Sequence, residues 1–198
     1  VSLWGWQLEQ QSWPFPDVAE GTPLTVNVYS RAPRVRLYLN DELLGEQSTS
    51  ETFWTAFRVP YRPGELRAVA VNGGQDAGEF RLQATSCPTG LRLTTDNQEL
   101  RANGTDLSYV TIELVDAQGR VVTSDSERNV SITVSGDGQL LASGNASPTD
   151  MESFRSPSPR LHQGRALAIV CSTRLAGQAV VTVSSAGLPT QTLILRTR

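Results

Sequence analysis

Two all-β, immunoglobulin-like β-sandwich domains in tandem are the architecture this sequence predicts. Three observations carry that expectation. Strand-length segments with period-two alternation recur along the whole 198-residue chain. Turn-forming residues separate them at short intervals. No stretch holds a 3.6-residue apolar period over helical length. The length suits one large or two small domains, and many short strands with regular turns read as a sandwich in each half.

In the first half, Leu24, Val26 and Val28 alternate with Thr25 and Asn27, and Val35, Leu37 and Leu39 alternate with Arg34, Arg36 and Tyr38. A period of two sends the apolar set to a buried face and the Arg and Tyr side chains to water. Phe53, Phe57 and Val59 fall on one side of the next strand, Leu66 to Val71 is a nearly continuous apolar run expected of a well-covered strand, and Phe80 and Leu82 mark the last one. Ala32-Pro33, Asn40-Asp41, Arg62-Pro63-Gly64 and Asn72-Gly73-Gly74 supply the turns. The small, polar run from Thr85 to Gly90, broken by Pro88, reads as the junction between domains 1–86 and 87–198.

The second half repeats the rhythm. Leu91 and Leu93 form a short strand, and Leu107 to Val115 puts Val110, Ile112 and Leu114 on one face. Asp116-Ala117-Gln118-Gly119 turns the chain into Val121 and Val122. Val130 to Val134, Gln139 to Ala142, Ala166 to Cys171, Ala179 to Val183 and Thr192 to Leu195 complete seven or eight strands. Gly144 to Gly164 breaks the pattern, being too long and too proline-rich for one strand. Long ordered loops are often functional; the plainer expectation is an irregular crossover packed by Met151, Phe154 and Leu161.

Composition removes several kinds of chemistry. The net charge is -3 and the basic residues are scattered singly, without the stripe of a nucleic-acid binder. All 17 basic residues are Arg, which excludes a lysine Schiff base and a P-loop lysine. No apolar run approaches bilayer-spanning length, so no membrane segment is expected. Val1 opens the sequence with no basic region or cleavage pattern of a secretory leader, as a processed product or excised piece would. Cys87 and Cys171 are two unrelated thiols, the latter on an apolar strand, or one disulfide closing a long loop. With the single His162 they fall short of a four-ligand zinc site, and no metal or cofactor is expected.

No nucleophilic triad can be assembled around one histidine, and no Gly-x-Ser-x-Gly elbow surrounds a serine. Asp150 and Glu152 lie two apart in a loop, a spacing more typical of solvated or capping acids than of a pair facing each other across a sugar cleft. The aromatics Trp4, Trp6, Trp13 and Phe15 cluster near the start, with Trp54 further on. Trp4, Trp6 and Trp13 are the candidate ligand-binding residues, because flat aromatic faces stack on the C–H surfaces of sugar rings. The competing expectation is that they cover the open end of the first sandwich or a neighbouring domain.

Leu3-Trp4-Gly5-Trp6, Ser12-Trp13-Pro14, Val26 to Ser30, Val35 to Asn40, Leu44-Gly45 and Phe57 to Tyr61 occur in that order in the first half. Leu91 to Asp96, Leu100 to Gly104, Asp106 to Thr111, Val115 to Gly119, Gly144-Asn145, Glu152 to Phe154 and Gly164 to Ala168 follow in the second. Through both halves the sequence resembles the C-terminal accessory domains of glycoside hydrolase family 2 enzymes of the β-galactosidase type. It departs from them at Asp41 and Ala146, where Gly is usual.

The resemblance implies a parent enzyme that hydrolyses β-galactosides or related β-glycosides, exported to the periplasm or outside the cell. The catalytic glutamates of such enzymes lie in a barrel that precedes these domains, so no catalytic residue is carried over. The implied role is a non-catalytic scaffold whose partners are the catalytic barrel and other domains of the parent, with oligosaccharide as a further partner. A carbohydrate-binding module and a cell-surface adhesion or spacer protein are the alternatives.

Overall fold

The Arg-Val-Arg-Leu-Tyr-Leu alternation forms a strand at Arg34–Leu39, and its inward residues Val35, Leu37 and Leu39 are all buried. The computed structural model describes residues 9–13, 15, 17–49 and 51–198. The chain divides into two compact units, Val1–Ala84 and Thr85–Arg198. Every regular element among the described residues is a strand.

The first unit holds β1 (Pro23–Tyr29), β2 (Arg34–Leu39), β3 (Glu42–Ser48), β4 (Trp54–Pro60), β5 (Glu65–Asn72) and β6 (Gln75–Gln83). A two-stranded antiparallel sheet, β1-β4, accompanies a four-stranded one in the order β3-β2-β5-β6. Trp13, Phe57, Val59, Tyr61 and Leu66 complete its core with the β2 residues. Leu24, Val26 and Val28 reach only half-burial, because two strands cannot roof four. Phe53 is a correction. Period two places it with Phe57 and Val59, but it sits in a turn at φ 60° and is 58% exposed.

Asn40 and Asp41 close the β2–β3 hairpin with φ 50° and 65°. Two left-handed residues make the turn that matches strand twist, so Asp41 serves where Gly is usual. The Asn40 side chain donates to Pro63 O (2.9 Å) and accepts from Glu65 N (2.9 Å), tying this turn to the next. Asp41→Val is expected to cost about 1–2 kcal/mol, the price of a β-branched residue at positive φ, and Asp41→Gly close to nothing. Thermal denaturation of the two variants checks this.

The second unit holds β7 (Gly90–Thr95), β8 (Glu99–Leu100), β9 (Leu107–Val115), β10 (Ser131–Gly136), β11 (Gly138–Gly144), β12 (Arg165–Ser172), β13 (Gly177–Ser184) and β14 (Gln191–Thr197). One sheet runs β11-β12-β9-β7, the other β10-β13-β14-β8. All pairings are antiparallel except β14 with β8. A four-on-four sandwich with the first strand split between sheets is the immunoglobulin arrangement. Val110, Ile112 and Leu114 of β9 meet Ile132, Val181, Val183 and Leu195 of the other sheet in one core. Ala166 and Ala168 stand beside Ile112 and Val110 on the neighbouring strand, so small residues offset large ones.

The run from Thr85 belongs to the second unit. Ser86 N donates to the Asp116 carboxylate (3.2 Å) and Thr89 N to Val115 O (2.9 Å). Asp116 is 2% exposed and also accepts from Gln118 N, Arg120 N and the Arg120 guanidinium. Cys87 and Cys171 are both free thiols, the first exposed and the second half-buried on β12.

Candidate functional site

The candidate ligand-binding residues of the first unit divide. Trp4 and Trp6 lie outside the described residues. Trp13 is 2% exposed. Its Nε1–H donates to Arg62 O (3.0 Å), and its ring meets Phe15 edge-on at 6.2 Å and Tyr61 at 5.5 Å. The Tyr61 hydroxyl in turn accepts from Phe15 N (3.0 Å). Trp13 therefore offers no open face for a sugar; it closes the core at one end of the first sandwich. Open aromatics in this unit lie elsewhere. Tyr29, beside Trp54 at 6.4 Å, donates to the Glu9 carboxylate (3.0 Å), which raises its hydroxyl above the ordinary tyrosine range.

In the second unit the loop between β11 and β12 is stitched to the sandwich. Pro157 O and Pro159 O accept from Ile132 N (2.8 Å) and Val130 N (3.1 Å), and Leu161 N donates to Arg128 O (2.8 Å). Leu161 is buried, as expected of a packed crossover. Met151 and Phe154 correct that expectation, being 94% and 70% exposed. Asp150 and Glu152 do not form an acid pair. Asp150 accepts from Glu152 N (2.9 Å) and from the Asn145 amide, which hold its carboxyl below the usual range. Glu152 is bonded by Arg160 (3.1 Å).

The loop walls a groove on the outer face of β9 and β12. An antiparallel sheet ordinarily presents polar residues outward. Here Leu167 and Ile169 point out, with Thr111 and Tyr109 as their cross-strand neighbours on β9. Leu167, Ile169, Thr111 and Ala142 floor a hollow of about 640 Å³, and the Phe154 ring forms its wall. A Cβ on Gly144 would stand 2.8 Å from that ring, so glycine lets Phe154 lie against β11. The backbone fixes it further, because Phe154 O accepts from Ser143 N (2.7 Å). Arg165 closes one end, its Nε donating to Glu113 (3.2 Å), which Arg92 also holds (2.6 Å).

A two-residue hairpin turn delivers the remaining polar groups. His162 and Arg165 exchange backbone hydrogen bonds (2.8 and 3.0 Å) around Gln163 and Gly164, whose φ values are 49° and 69°. Both residues are left-handed, as this turn type requires. A Cβ on Gly164 would collide with Val122 O, so that position admits glycine alone. His162 and Gln163 line the groove, and neither side chain has a hydrogen-bond partner among the described residues. Nothing in the sequence singled out this pair: the turn that carries them is local, but the β9–β12 face they border is set by long-range pairing. Among the described residues, no three His, Cys, Asp or Glu side chains converge as metal ligands would.

The model of glycoside hydrolase family 2 C-terminal domain 5 matches residues 91–194, over half of the chain. The chain belongs to this glycoside hydrolase family 2 C-terminal domain family. Residues 21–78 match a second family, described as a domain of unknown function (DUF4982). The sequence is 30% identical over 161 residues to the β-galactosidase BoGH2A of Bacteroides ovatus, covering 81% of this chain and 19% of that protein. A β-glucuronidase of Formosa agariphila is 32% identical over 121 residues, 59% of this chain and 12% of the relative. A solved glycosyl hydrolase family 2 member from Bacteroides cellulosilyticus superposes with a TM-score of 0.91 at 35% identity, covering 94% of this chain and 24% of that one. The family 2 chain thus spans between an eighth and a quarter of these relatives. Its second departure from the family's usual residues, Ala146, lies outside the positive-φ positions, so an L-residue fits there without strain.

Proposed function

We propose that this chain is a non-catalytic accessory and scaffold region of a β-galactosidase-type family 2 hydrolase acting on β-galactosides or related β-glycosides. The observation that carries this reading is the match to the B. ovatus β-galactosidase, which takes up 81% of this chain but 19% of the relative, within a fold made of two β-sandwich units. The chemistry belongs to the remainder of such a protein, and that remainder is the principal partner. The parent is an exported protein, periplasmic or extracellular, as the family resemblance suggests.

Two measurements test this. The purified 198-residue chain is expected to release no nitrophenol from nitrophenyl β-galactoside above the buffer rate. Turnover that co-elutes with it on gel filtration overturns the reading. An antibody raised to the chain is expected to detect a native polypeptide several times larger than the chain, in the exported fraction. A band at the chain's own size sinks the accessory role and favours adhesion or glycan binding by a stand-alone protein.

A further inference from the structure

We propose that the groove between Phe154 and the outer face of β9 and β12 is a binding site for a neutral oligosaccharide. Pyranose rings need an apolar surface for their C–H face and planar polar groups for their hydroxyls. The groove supplies both. Leu167 and Ile169 form an apolar floor, and the Phe154 ring, 70% exposed, stands beside it on the bare backbone of Gly144. His162 and Gln163 border the same space, His162 also bordering the neighbouring hollow that Asp150 and Glu152 line, and neither side chain has a hydrogen-bond partner among the described residues; between them they offer donors and acceptors. The lining carries no carboxylate, and its single guanidinium, Arg165, is already paired with Glu113, so the site suits an uncharged ligand. The volume lies within the range of small-ligand sites, about 300–1,000 Å³.

Backbone chemistry is an independent observation. The turn at Gln163-Gly164 is of the type for which Asn-Gly is the preferred pair. Gln is a poor choice at φ 49°, yet of the two central turn residues it is the one that lines the groove. A departure from local preference at a residue beside a groove fits a binding role there. Gln reaches one methylene further than Asn.

The galactoside used as probe rests on the functional reading above; the groove does not. The test is an amide NMR titration of the 198-residue chain with β-1,4-galactotetraose and cellotetraose to about 10 mM, the range of weak single-site binding. Shifts are expected at Gly144–Ala146, Phe154 and His162–Ile169. Phe154→Ala is expected to weaken binding about tenfold. Gln163→Asn restores the preferred turn pair, so it is expected to weaken binding severalfold while the melting temperature holds or rises. That variant keeps the test decisive if Phe154→Ala perturbs the loop. Binding of either sugar at these amides supports the site. The proposal is overturned by the absence of shifts with both sugars, by shifts confined to the first unit, by unchanged affinity in Gln163→Asn, or by shifts that follow protein concentration. Hydrolysis by the chain itself leaves these outcomes readable, so the two readings fail separately.

Discussion

Trp13→Ala is expected to cost the first unit about 3–5 kcal/mol, the range for removing a buried Trp. This approaches the whole stability of a small domain, about 5 kcal/mol at the low end. The loss follows from the site. Trp13 is 2% exposed, packs on Phe15 and Tyr61, and spans to the opposite connection through Nε1–H and Arg62 O. Amide hydrogen exchange is the measurement. Protection along β2 and β5 should collapse, while β9 and β12 stay protected. Trp13→Phe keeps an aromatic ring but leaves Arg62 O without its partner, for about 1–2 kcal/mol. A sugar-stacking role for Trp13 calls for the reverse: unchanged protection and lost retention in glycan-loaded gels.

The second large effect is at Asp116. Removing its carboxylate with Asp116→Ala leaves the Arg120 guanidinium with only the Gln118 side-chain oxygen and strands the N–H groups of Ser86, Gln118 and Arg120, at about 3 kcal/mol. Denaturant unfolding followed through the second unit reads this directly. The same group gives a pH dependence. Burial by itself pushes the carboxyl upward; the bonds from Arg120, Ser86 and Gln118 outweigh it and hold the group well below the usual carboxylate range. A depressed folded-state value means that in acid the unfolded chain binds the proton first. The stabilisation is complete above the ordinary Asp value of about 3.9 and is lost as pH falls below it. Stability should therefore not change on this account between neutral pH and about pH 5. Below about pH 4 the difference between the native chain and Asp116→Asn should shrink.

Asp116 also shows what sequence reading misses. It is legible as a turn residue, since Asp116-Ala117-Gln118-Gly119 has ordinary turn composition. Its capture of Ser86, thirty positions earlier, is not. The strand at Glu99–Leu100 has two residues and pairs in parallel with the last strand. No periodicity can be read from two positions. Phe53 fits a period-two pattern and still faces solvent, because a left-handed turn residue breaks the alternation before the strand begins.

The loop makes the same point for the candidate site. Its length and prolines mark it as irregular, and Asp150 and Glu152 behave as capping and paired acids. Which of its apolar residues goes inward is invisible locally. Leu161 fills the core because Leu161 N hydrogen bonds to Arg128 O, whereas Phe154 lies outside because Ser143 holds its carbonyl against the edge of β11.

By itself the sequence determined the fold class, nearly all the strands and their inward faces, because alternation and turn chemistry act over neighbouring residues. It also excluded lysine chemistry and triads, which depend on composition and residue count alone. Only the tertiary structure decided that Trp13 is sealed in a core, that Cys87 and Cys171 are free, and that Phe154, His162 and Gln163 share one groove. Each of these depends on pairings between segments far apart in the chain, whose register is fixed by packing across a sheet and not by the residues on either side.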